Sequence, residues 1–178
     1  MKKNIPSEEE CERLLTEVFK LPEDQLASAR LVKTVALRIG RDLKWLRDSG
    51  PNISLIKAGA LLCHVAGHGP NHDKLAGIKL RKLGYPEVAD IADTHWELDF
   101  SEELPVSEKE IVFIATKLVE KDQIISVAYK YDFKIEAAKN NPQEVADLKR
   151  KKEIAMKIKT TIEHETEKNL EELAIAEN

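Results

Sequence analysis

Aromatic side chains are scarce, at 5% of the 178 residues, and only two cysteines occur, Cys11 and Cys63. One falls in an exposed-looking helix and the other in an apolar stretch, so no disulfide framework is expected. No stretch reaches the ~20 apolar residues that a helix needs to span a bilayer. The opening MKKNIPSEEECERLL has two lysines with no apolar run behind them, unlike a secretory signal or a membrane anchor. The chain therefore reads as cytoplasmic and not membrane-bound. Excess positive charge is missing too: a net charge of −4 offers no general pull toward nucleic acid, although a local basic patch is compatible with it. Repeats, low-complexity tracts and strand-like alternation are also absent.

What is present is charge on helices. Charged residues make up 34% of the chain, above the usual quarter, against an ordinary hydrophobic share of 42%. The length suits one domain with a substantial core. The fold class expected is all-α: a single helical domain, 1–178, with an N-terminal helix over 7–20, a core over about 22–162, a long C-terminal helix, and a tail that frays from about 164.

Local signals place the helices. Ser7 facing Glu10 and Ser107 facing Glu110 read as capping boxes. Leu26, Ala29, Val32, Ala36, Ile39 and Leu43 recur at steps of three and four along a helix from about Glu23 to Arg47, with Ser28 near the edge of that stripe. From Ile53 to Ala66 the sequence is apolar on nearly every side, which puts that helix in the middle of the domain and predicts that Cys63 and His64 are buried. Gly67, Gly69 and Pro70 stop it, and His72 opens a helix closed by Gly84. A short helix from Pro86 delivers His95 and Trp96, and Thr116 lies near the middle of the helix that Ser107 opens. A further helix is expected over 124–139. Asn141, Pro142 and Glu144 then start the last helix, along which Val145, Leu148, Ala155, Ile158 and Ile162 keep an apolar stripe. His164 reads as surface.

Residues 58 to 77, AGALLCHVAGHGPNHDKLAG, gather Cys63, His64, His68 and His72, side chains able to bind a metal, around an apolar helix end. Their spacing matches no zinc knuckle, which has two close pairs separated by a longer span. Ordinary buried histidines and a structural thiol are the competing reading. A buried imidazole needs a partner, because burying it unpaired costs roughly 1–3 kcal/mol.

Two longer stretches, ALLCHVAGHGPNHDKLAGIKLRKLGYPEVADIADTH and EIVFIATKLVEKDQI, resemble the HD-domain superfamily of metal-dependent phosphohydrolases. The first is similar to that family's alanine-leucine-leucine-His-Asp run, its Asn-His pair opening a helix, its Gly-Tyr-Pro and its later His. The second is similar to the helix ending in Ala-Asp-Lys-Leu-Val. The resemblance covers most of the chain, roughly residues 27 to 162, and implies an HD-type helical bundle.

In that family an early His, the His-Asp pair and a late Asp hold a metal, and further histidines hold a second metal or the substrate phosphate. Carried over by position, the early His falls on Ser28, the His-Asp pair on Cys63 and His64, and the late Asp on Thr116. All four ligand positions are substituted. A shift of one residue, placing the family's His on His64, would misalign Leu61, Leu62, Asn71 and His72. The family's later histidines match His72 and His95, and the lysine after its late Asp matches Lys117.

The resemblance therefore implies catalytic or phosphate-handling roles for His72, His95 and Lys117. Any metal would rest on Cys63, His64, His72 and His95. Hydroxyls at Ser28 and Thr116 are poor ligands for divalent ions, so a softer metal suits this set better than magnesium. Zinc, iron, nickel or manganese is the expectation if a metal is held, and a metal-free protein is the alternative. Lys74, Lys79 and Arg81 could attract a phosphate, with a solvated basic helix face as the competing reading.

Three functions follow from these readings. One is a phosphohydrolase acting on a nucleotide or other small phosphate ester through an altered metal site. Another is a catalytically inactive HD domain binding a phosphorylated ligand or a partner as a regulatory module. The last is a purely structural domain whose charged C-terminal helix docks partners, with a homodimer compatible with the sequence.

Overall fold

The computed structural model describes residues 4–67, 69 and 71–176. His68 and Pro70, which enter the sequence reading above, lie outside the described residues. The architecture is all-α. It runs α1 (Glu8–Arg13, continued by a π-helical turn Leu14–Val18), α2 (Glu23–Leu46), α3 (Ile53–Leu62), α4 (His72–Lys82), α5 (Pro86–Ala92) and α6 (Glu108–Leu118). A minimal hairpin of β1 (Val119–Glu120) and β2 (Gln123–Ile124) leads to α7 (Val127–Ala137), α8 (Pro142–Thr166) and α9 (Leu170–Ile175). Among the described residues no helix is long and apolar enough to cross a membrane.

Caps explain most of the starts. Asn52, Ser126, Asn141 and Asn169 each accept a backbone N–H two or three residues into the helix that follows. At Ser107 the capping box is complete, its N–H donating to the Glu110 carboxylate at 2.8 Å. At Ser7 only half of it forms. The hydroxyl accepts the Glu10 N–H at 3.2 Å, while the Glu10 carboxylate turns to Arg13 instead.

Helix α2 is the axis of the core and packs against α3, α6, α8 and α9. Its predicted stripe, Leu26, Ala29, Val32, Ala36, Ile39 and Leu43, is buried throughout. Helix α3 is buried along its second half, from Ala58 to Leu62, while Ser54 in its first turn is exposed and Lys57 reaches the Glu8 carboxylate at 3.0 Å. It crosses α5 so closely that a Cβ on Gly59 would meet Ile91 at 2.8 Å, which explains a glycine there.

Four expectations are corrected. Helix α3 ends at Leu62, so Cys63 and His64 lie in the turns after it rather than within it, and His64 is only half-buried. Cys11 is fully buried, because α1 lays that face on the core. The stretch after α6 turns through the two short strands, and α7 begins at Val127 rather than near 124. The tail does not fray at 164: Glu167 adopts a left-handed conformation, the chain turns, and α9 packs back on α2 with Leu170, Leu173 and Ala174 buried.

Candidate functional site

A cavity of about 400 Å³ opens between α2, the turn after α3, the start of α4, the end of α5, α6, the hairpin and α7. It gathers Ser28, His64, His72, His95, Thr116 and Lys117, six of the positions singled out in the sequence. Four of them are delivered by element ends. His64 follows the last turn of α3, His72 is the first residue of α4, His95 follows α5, and Lys117 stands next to the end of α6.

Three imidazoles face one another. The His95 ring lies edge-on to His64 at 4.7 Å and to His72 at 5.1 Å between centroids. Backbone carbonyls orient two of them. His72 Nδ1–H donates to Gly69 O at 2.9 Å, and His95 Nδ1–H donates to Ala92 O at 2.6 Å. That second bond leaves His95 Nε2 as an acceptor, and this buried atom has no hydrogen-bond partner among the described residues. Burial holds the ring neutral, pushing its pKa down to about 3, and the nearby Lys117 charge acts in the same direction.

The other half of the cavity is basic. Lys117, Lys121, Lys130 and Lys134 line it against two carboxylates, Asp24 and Glu120. Lys117 is buried, donates to His95 O at 2.9 Å and lies 4.5 Å from the Phe113 ring centroid. Burial, then Lys130 and Lys134, push its pKa well below the ordinary lysine value. The ammonium groups of Lys117, Lys134 and Lys151 all stand over the Trp96 ring, at 5.4, 4.8 and 5.2 Å from its centroid. Lys130 donates to Thr116 O at 2.8 Å and pairs with Glu120 at 3.3 Å. Burial also lowers the pKa of Lys130 and of Lys134. Cations crowded in this way are stabilised by any anion that enters.

Other singled-out residues stand apart from this lining, Thr116 excepted. Cys63 is fully buried behind it, with Sγ 3.6 Å from Ala60 O and 3.3 Å from His64 Nδ1, and burial pushes its thiol up to about 12. Thr116 turns its hydroxyl to Phe113 O at 2.6 Å. Arg81 pairs with Asp90 at 2.6 Å and Asp93 at 2.7 Å, and Lys74 donates to Asp93 O at 2.8 Å. Both thus tie α4 to the end of α5 outside the cavity. Lys79 sits over the Phe19 ring, on another face. His164 is exposed on α8, as expected.

Sequence reasoning missed Lys130, Lys134 and Lys151. The first two are spaced i and i+4 on one helix, a detectable signal, but the same spacing describes any solvated helix face. Asp73 was missed as well; it is buried at the start of α4 beside His72. Among the described residues no three His, Cys, Asp or Glu side chains converge as a metal-binding group. The fold and site define an all-α domain with a cationic, histidine-walled cavity. Compared with family models, curated proteins and solved structures, the chain matches none.

Proposed function

We propose that this chain is an HD-like helical domain that binds a small phosphorylated ligand, a nucleotide or another phosphate ester, without hydrolysing it. The observation that carries this reading is the lining of the cavity: four lysines against two carboxylates, with Lys117 buried and paired to a carbonyl rather than an acid. Hydrolysis in the family it resembles needs a metal to polarise the phosphoryl group and activate water. The residues at the matching positions do not fit that centre. Cys63 is a protonated thiol behind the wall, Thr116 spends its hydroxyl on its own helix, and neither carboxylate of the motif is present.

The test is thermal unfolding with ribose 5-phosphate and inorganic phosphate. A ligand at a hundred times its dissociation constant adds roughly 2.7 kcal/mol, several degrees in Tm. Lys134→Gln is expected to remove most of that shift. No shift with either compound would overturn the reading.

A hydrolytic reading draws on one observation, a buried His95 Nε2 with no hydrogen-bond partner among the described residues, since a neutral imidazole whose Nδ1–H is held by a carbonyl has the form of a metal ligand. Elemental analysis of tag-free protein separates the two. Near-stoichiometric zinc, iron, nickel or manganese, lost in His95→Gln, would favour hydrolysis; metal-free protein that takes up none on addition supports the binding module.

A further inference from the structure

The hairpin and α7 carry a second cavity, of about 500 Å³, which shares Glu120, Lys121, Lys130 and Lys134 with the first. The two cavities therefore adjoin along a common wall. Tyr129 and Phe133 line the second cavity, one turn apart on α7, with stacked rings whose centroids are 6.3 Å apart and whose planes differ by 28°. They are 59% and 66% exposed in a chain with few aromatic residues. The first cavity, across the shared wall, is basic and histidine-walled. A planar apolar platform one side of a lysine wall and a cationic recess on the other match the two halves of one molecule, a flat ring joined to a phosphate.

Resting on the phospholigand reading, we propose that Tyr129 and Phe133 form a base-stacking subsite, and that the ligand is a mononucleotide whose phosphate enters the histidine and lysine cavity. Stacking on aromatic side chains tolerates any base, because every base has a π-face. Lys121, Lys130 and Lys134 belong to both linings and stand where the two cavities adjoin. A nucleic-acid polymer fits less well. The chain carries a net charge of −4, and Asp24, Glu120 and Asp122 interrupt the basic lining of the two cavities.

The experiment is calorimetric titration of the full chain with AMP, GMP, CMP, UMP, ribose 5-phosphate and adenosine, on wild type and on the double variant Tyr129→Ala, Phe133→Ala. Both side chains are exposed, so the variant is expected to unfold at the wild-type temperature. The result expected is that at least one nucleotide binds about tenfold or more tightly than ribose 5-phosphate, and that the double variant brings it down to the ribose 5-phosphate level without changing ribose 5-phosphate itself. Restoring rings with Tyr129→Phe in a Phe133→Trp background should keep the nucleotide preference.

Equal affinities for nucleotides and ribose 5-phosphate, or nucleotide binding untouched by the double variant, would overturn the stacking subsite and leave the phosphate reading standing. Adenosine binding that depends on the two rings, with no gain from a phosphate, would keep the ring platform and overturn the phosphate reading. Binding of none of the six compounds would overturn both.

Discussion

Cys63 shows how far one position can be read without its surroundings. Aligned by motif it stands where a metal-binding His would be, and by composition it lies in an apolar run, so ligand and buried thiol were both open. The structure places it in the interior, fully buried, its thiol pushed up to about 12 by desolvation. Cys11 is held in the same way, also at about 12. A thiol reagent needs access and the thiolate. At pH 8 the native protein is expected to react with such a reagent at neither cysteine, and at both once unfolded in denaturant. Rapid labelling of Cys63 in native protein, located by peptide mass mapping, would show that it opens to the cavity. His72, His95, Thr116, Lys117 and Ser28 were singled out by a resemblance, and the structure brings them to one cavity. That Thr116 spends its hydroxyl on Phe113 was not, because rotamer and hydrogen bond depend on packing.

At the scale of elements, starts were easier to read than ends. Caps are local chemistry, decided within one turn, and Ser107, Asn141 and Pro142 all announce the helices they open. Helix α9 has a cap too, Asn169, but six residues are too few for periodicity to register. What holds it is remote in sequence. Arg38 of α2 donates to Ala174 O, Lys159 of α8 pairs with Glu171, and Lys168 reaches Asp42 at 2.6 Å. Its apolar face is buried in the core. Leu170→Ala is therefore expected to cost roughly 2–5 kcal/mol in urea unfolding. Ile175→Ala, at a residue 62% exposed, should stay within about 0.5 kcal/mol. Equal effects would mean that α9 does not dock as described.

For the molecule as a whole, the buried bases make stability depend on pH in one direction. His95 falls from the ordinary 6.5 to about 3 on folding, so between those values the unfolded chain binds a proton that the folded chain refuses. Lys117, Lys130 and Lys134, all lowered, act likewise below 10.5. Stability rises with pH wherever the unfolded state binds more protons. The Glu8 carboxylate, held to about 2 chiefly by Lys33 and then Lys57, adds a loss only as pH falls below 4.5. The melting temperature should therefore climb from pH 5 to pH 8, with His95→Gln flattening the part below 6.5. A wild-type melting temperature that falls over that range would contradict the buried, uncompensated bases.

By itself the sequence determined the helical class, the starts of the long helices, the central burial of α2 and α3, and six of the side chains that line the cavity. Each of these depends on period, capping chemistry or motif order, which neighbours in the chain settle among themselves. Only the tertiary structure decided that His64 stays half-exposed, that Arg81 and Lys74 hold Asp93 rather than the cavity, that α9 folds back, and that lysines from α6 and α7 meet over Trp96. Burial and charge at a site are sums over everything packed against it, and most of that comes from residues far away in the chain.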